Sequence, residues 1–210
     1  MTGTPITLTT EDADVLLARL EHFPAGVTKT TRRVRNWCMA LLMLDAGLRV
    51  GEVVRLYQID LQLGKVPVSS LRITADIAKN KTERIIPLSE RIRTAIRMIS
   101  TCLWEQDTSG NHYAFYRGHD SNQLLTTRQV ERIIRKAAMK SLGRPVHPHV
   151  LRHTFASRLM RTTNARVVQE LLGHQHMSTT QIYTHPNEDD KKKAIQSLDR
   201  NQPANDVTES

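Results

Sequence analysis

Residues 147–157 read HPHVLRHTFAS. Pro148 suits the first turn of a helix, where its missing N–H would have no partner anyway, and a helical pattern follows over residues 148–161. His149 and His153 stand four apart, so on that helix they share a face. That spacing can hold a metal ion, but Arg152 stands between them on nearly the same face. A zinc-protease arrangement needs Glu after the first His to activate water, and the residue there is Val150. A third ligand would have to come from His174 or His176, and Arg152 would set a fixed positive charge beside the metal. A phosphate explains more. His149 and Arg152 project from one turn, and a guanidinium meets phosphate oxygens with a fork of donors that stays charged. The plain alternative is a polar helix face that only packs and solvates. A phosphate would require further donors elsewhere in the chain.

The bulk composition favours a polyanion. The chain has 210 residues, a formal charge of +9 and a pI of about 9.9, with 30 Lys and Arg against 21 acids. Nucleic acid is the simplest partner for such an excess, and a basic solvated surface is the alternative. Hydrophobic residues make up 39% but aromatics only 4%, so the core must be aliphatic and Met-rich. Cys38 and Cys102 lie in apolar helical stretches and read as core residues of a reducing compartment, with no disulfide framework. The longest apolar run, Cys38 to Leu44, is far too short to cross a bilayer, and no signal-peptide pattern opens the chain. A cytoplasmic location is expected.

Along the chain the periodicity is mostly helical. Residues 8–20 predict a capped helix with Val15, Leu16 and Leu20 inward. Residues 30–46 predict a longer helix with a stripe of Val34, Trp37, Cys38, Leu41 and Leu44, stopped by Gly47. A short helix is expected over 50–56. Residues 71–77 and 84–88 alternate as two strands joined by a KNKTE turn. Ser89 caps a helix over 90–104, and a polar stretch over 105–125 holds a loop near 107–111. Thr126 and Gln129 form a capping box for a helix to Leu142, stopped by Gly143. After the 148–161 helix come a short one over 165–172, another capped by Ser178 and Gln181, and an amphipathic one over 188–199 carrying Ala194, Ile195 and Leu198. The tail, 201–210, has no core-forming residues and is expected to be disordered. The fold class is mainly α with one small antiparallel sheet, an α+β chain.

Further candidate donors lie in four places. Arg49, in DAGLRVGEVVRL, sits at a turn between helices, and Glu52 is placed to orient it. An ordinary surface ion pair is the alternative and would do little. Lys79 and Lys81 occupy the hairpin turn, where most lysines are merely solvated. His174, in LLGHQH, follows a helix-ending Gly173. Tyr183, in STTQIYTH, lies on a brief capped helix, where a Tyr also serves for packing.

In chain order the set is Arg49, Lys79, His149, Arg152, His174 and Tyr183. With the segments GLRVGEVVRL, IAKNKTERIIPL, HPHVLRHTFAS, LLGH and STTQIYTH it resembles the tyrosine recombinase family of the lambda-integrase (phage integrase) type, over residues 8–199. The resemblance implies that Tyr183 attacks a DNA phosphate, that Arg49, Arg152 and His174 bind its non-bridging oxygens, and that His149 is the acid/base group near the nucleophile. It implies Lys79 as the general acid for the leaving 5′ oxygen, Glu52 as the group that orients Arg49, and His153 as a supporting residue. Many members carry a Gly-rich turn before the lysine. Here the turn is AKNKTER, and a slip of one or two residues would select Lys81 instead.

By the same resemblance the chain is a site-specific recombinase that works through a 3′-phosphotyrosine and a Holliday junction, with no cofactor and no metal. Type IB topoisomerase-like nicking and resealing, and non-catalytic DNA binding on the same fold, are the alternatives. The implied partners are double-stranded recombination sites, further copies of the chain in a tetramer on DNA, and accessory DNA-bending proteins; no membrane is involved, and the location is the nucleoid. The catalytic domain is expected over 1–187. A C-terminal helix over 188–200 would pack on a neighbouring protomer, with packing in cis as the alternative. The N-terminal core-binding domain is expected to be absent from this chain. The chain is then either a segment of a longer recombinase or a short one of the fimbrial inversion-switch kind.

Overall fold

The computed structural model describes residues 7–21, 27–78, 81–104, 111–118 and 120–173. The first helix, α1 (Thr10–Glu21), starts where Thr9 Oγ1 accepts the Asp12 amide at 3.1 Å. It buries Ala13, Leu16, Leu17 and Leu20. Val15 was expected inward but is exposed, because a 3.6-residue period from Ala13 runs through Leu16 and Leu17 and passes Val15 by. The next helix, α2 (Val27–Asp45), is buried on every side from Trp37 to Leu44. The expected stripe is inward, and so are Met39, Ala40, Leu42 and Met43. A helix apolar all round must be surrounded, and each such Leu or Met contributes about 1.5–3 kcal/mol by leaving water.

The segment after α2 is more broken than its pattern implied. In place of one helix over 50–56 there are two single turns, α3 (Val50–Val53) and α4 (Gln58–Leu61). A ribbon of β1 (Gln62–Leu63) and β2 (Val66–Pro67) follows. Then β3 (Ser70–Ile73) pairs antiparallel with β4 (Arg84–Pro87), with Ile73 opposite Arg84 and Leu71 opposite Ile86. The strand expected over 71–77 stops at Ile73. Beyond it the Thr74 carbonyl accepts the Ile77 and Ala78 amides at 3.2 and 3.0 Å, which curls the chain out of the ladder.

The next helix, α5 (Glu90–Leu103), is capped by Ser89 and buries Ile92, Ala95, Ile96 and Ile99. The polar stretch after it contains strands that alternation did not reveal, β5 (Tyr116–Arg117) and β6 (Asp120–Leu124). Three side chains tie this ribbon down. Trp104 Nε1 donates to the Ala114 carbonyl at 3.0 Å, the Tyr116 hydroxyl to the Leu103 carbonyl at 2.7 Å, and Arg35 Nη1 to the Tyr116 carbonyl at 2.7 Å. Burial, with the nearby Arg32 charge, lowers the Arg35 pKa to about 10. The expected single sheet is therefore three separate two-stranded ribbons among the described residues. The two missed ones are too short, or too polar on both faces, to alternate visibly.

Three helices complete the described chain. They are α6 (Thr127–Leu142), with the expected Thr126–Gln129 capping box and Gly143 at φ 68°, α7 (Pro148–Met160), and α8 (Ala165–Leu172), ended by Gly173 at φ 62°. Helices α1, α5 and α7 pack around α2, and α8 packs on α7 and β4. The capped helix at 178–186, the helix over 188–199 and the tail lie outside the described residues. No helix among the described residues is long and apolar enough to cross a membrane.

Candidate functional site

At the end of α2 the chain turns through Gly47, whose φ of +65° is the left-handed region that side chains avoid. A second constraint holds there. A Cβ on Gly47 would lie 2.3 Å from Cδ1 of Phe155, so the ring on α7 packs directly on the glycine backbone. The turn delivers Arg49 to the start of α3 in extended conformation, and one turn later comes Glu52, only 1% exposed.

Glu52 gathers arginines from three elements. Its Oε2 accepts the Arg49 amide at 2.8 Å and its Oε1 the Arg49 Nη1 at 3.2 Å. Arg84, on β4, adds a bidentate pair, Nη1 to Oε1 at 3.1 Å and Nη2 to Oε2 at 2.7 Å. Four N–H donors thus occupy the carboxylate's four lone-pair positions. Arg152, on α7, stands further off, its Nη1 at 3.9 Å from Oε2. Burial works against the charged carboxylate. The hydrogen bonds and charge of Arg84, the Arg49 amide and the charge of Arg152 outweigh it and hold the Glu52 pKa below its ordinary value. Three guanidinium charges against one carboxylate leave a surplus of two positive charges in a largely buried cluster. Such a surplus attracts an anion.

Arg152 is buried and aimed by carbonyls. Nη1 donates to the Gly47 carbonyl, and Nη2 donates to the Leu172 carbonyl at 2.7 Å. Leu172 is the last residue of α8, where the helix dipole favours a cation, and Gly47 lies in the turn just beyond α2. Arg49 is the most open of the three, with 18% of its side chain exposed against 4% for Arg84 and 7% for Arg152.

His149 is exposed on the first turn of α7. Just before it His147 Nδ1 meets Glu131 Oε1 at 2.9 Å, which sets the first turns of α6 beside the start of α7. His153 is half-buried. Burial first, then the positive fields of His149 and Arg152, lower its pKa and favour the neutral ring. Lys81 is exposed at a φ of 52° and its amide donates to the Ala78 carbonyl at 3.1 Å. Of the sequence-derived set, the fold gathers Arg49, Glu52 and Arg152 and sets His149 and His153 on the helix of Arg152. Lys79, His174 and Tyr183 lie outside the described residues, as does His176.

Sequence reasoning missed Arg84. A signal was present. In β4 the inward positions alternate, Arg84 and Ile86 buried and Ile85 and Pro87 exposed. An arginine in phase with core residues demands a buried carboxylate, and Glu52 answers it.

The phage integrase family matches this chain over residues 7–190. The chain belongs to that family. It is 37% identical over 155 residues to the tyrosine recombinase XerC of Azotobacter vinelandii, covering 72% of this chain and 48% of that protein. It is 35% identical over 191 residues to the tyrosine recombinase XerD of Listeria monocytogenes, covering 87% and 59%. The chain thus spans about half the length of the curated relatives it matches. Among solved structures, the XerA recombinase superposes with a TM-score of 0.75 at 27% identity, over 97% of this chain and 66% of that one. A XerH site-specific recombinase bound to its palindromic difH substrate shares the fold, with a TM-score of 0.68 at 21% identity, over 94% and 54%.

Proposed function

We propose that this family member is a site-specific DNA recombinase, and that its Glu52-centred arginine cluster is the clamp for the scissile phosphate. The surplus of positive charge around one buried carboxylate carries the reading. Arg49 and Arg152 take the non-bridging oxygens, with His174 as a further donor. Charge on those oxygens grows as phosphorus becomes pentacoordinate, and donors already fixed by Glu52 and two backbone carbonyls stabilise it without reorganising. The Tyr183 hydroxyl attacks phosphorus and loses its proton, with His149 as the nearby acid/base group. The P–O5′ bond breaks, and Lys79 gives the leaving 5′ oxygen its proton. The 3′-phosphotyrosine keeps a phosphodiester's energy, so the 5′ hydroxyl of another strand reverses the step on a new partner, passing through a Holliday junction.

The basic exposed face of α6, with Arg128, Arg132, Arg135, Lys136 and Lys140, lies on the helix whose start adjoins His149 and supplies salt-sensitive contacts to DNA phosphates. Self-association through the segment 188–200, and accessory DNA-bending proteins, belong to the same proposal.

The test uses nicked suicide duplexes tiled across the DNA flanking the gene. Wild-type protein should form a denaturation-resistant adduct with one of them. Tyr183→Phe should bind that duplex nearly as well and form none; an adduct from the Phe variant would overturn the assignment. Relaxation of supercoiled plasmid without joining of paired sites would point to a topoisomerase instead. Lys79→Ala and Lys81→Ala, assayed with a 5′-thiolated leaving group that needs no general acid, identify the lysine by which of them is rescued.

A further inference from the structure

The recombinase reading counts Arg84 in the charge of the cluster but gives it no contact with the phosphate. We propose that Arg84 is a positioning residue for the phosphate clamp: it fixes the Glu52 carboxylate, and through it Arg49, while holding the end of α8 from which His174 follows. The proposal rests on the recombinase reading.

Three contacts of one guanidinium support it. Nη1 and Nη2 form the parallel pair to Glu52, which sets the plane of the carboxylate. Nε donates to the Leu171 carbonyl at 2.9 Å. The side chain also lies across Gly173, where an added Cβ would come within 3.1 Å of Arg84 Cδ. Successive carbonyls at the end of α8 are therefore each held by an arginine, Leu171 by Arg84 and Leu172 by Arg152. Both arginines also face Glu52. If Arg84 were removed, Glu52 would keep the Arg49 amide and guanidinium but lose its two in-plane partners. The carboxylate could then swing toward Arg152, and Arg49, bound to the same oxygens, would follow. β4 moreover follows Lys79 and Lys81 in the chain, so Arg84 ties the start of the strand next after them to the clamp. A lysine would restore the charge but neither the fork nor the third contact.

The alternative is that Arg84 only secures β4 against α3 and α8. The two roles differ in what they do to charge stabilisation. A scissile phosphate replaced by a methylphosphonate carries no negative charge, so a well-set clamp has less to stabilise. The experiment measures single-turnover coupling of wild type, R84K and R49K to the duplex that wild type attacks, in phosphate and methylphosphonate forms, alongside binding and thermal melting. R84K should bind within about twofold and couple about 10- to 100-fold more slowly on phosphate. Its deficit should shrink to below about threefold on methylphosphonate, as that of R49K should. The ratio of the two rates cancels the fraction of protein folded, so it decides the matter even if R84K melts early. An R84K rate within about twofold of wild type on phosphate, or equal deficits on both duplexes, overturns this inference alone. Absence of any wild-type adduct overturns the recombinase reading, and this inference with it.

Discussion

Replacing Glu52 by Gln tests the cluster as a structural unit. The carboxylate accepts four hydrogen bonds and faces three guanidinium groups, all with the side chain 1% exposed. A glutamine keeps the volume, loses the charge and turns one acceptor into an NH₂ donor that points at N–H groups. Removing one partner from a buried ion pair costs about 3–5 kcal/mol. A chain of this size loses roughly 2–4 °C of melting temperature per kcal/mol, so Glu52→Gln should melt roughly 6–20 °C lower near neutral pH. The pH dependence follows from sign. The folded pKa of Glu52 lies below its ordinary 4.5, so its stabilisation is fully present above that value and is lost as pH falls through the folded pKa. Thermal melts followed by circular dichroism, from about pH 7 downward, should therefore show the two proteins converging below about pH 4.5. A variant that melts within about a degree of wild type at neutral pH, or a gap that stays constant down to acid, would show that the Glu52 charge does not hold the cluster together.

Two further outcomes follow from the same geometry. Gly47→Ala forces a Cβ into the left-handed region and into the Phe155 ring; the conformational strain of about 1–2 kcal/mol and overpacking of about 1–3 kcal/mol add, and a lower midpoint in urea measures them. His153 should titrate by NMR below the ordinary 6.5, and His149→Ala should move it upward by removing one like charge, burial remaining the larger cause; no upward movement would mean that the two imidazoles do not sense each other.

Much of the helical plan was legible because caps and apolar periods act locally. Thr126 with Gln129, Ser89, and the glycines at 47, 143 and 173 all mark helix ends where the sequence puts them. What local pattern cannot carry is the partner across space. The fourfold-satisfied Glu52 looked like half of an i,i+3 ion pair, since Arg84 is remote in sequence. Val15 and Leu17 exchanged places because several phases of one short helix fit its apolar residues almost equally. The ribbon at Tyr116–Leu124 escaped notice because it is held by Trp104, Tyr116 and Arg35 contacts and not by an alternating face.

The clamp is stitched from residues that are far apart along the chain. Arg84 reaches back 32 positions to Glu52 and forward 87 to Leu171, and Arg152 reaches back 105 to Gly47. Contacts of such span cost more loop-closure entropy than local ones, and none forms within a single isolated segment. A chain emerging from synthesis, or one partly opened by heat, has the arginines but not the arrangement. For a protein proposed to break DNA, that would make competence a property of the finished molecule and not of any one segment of it.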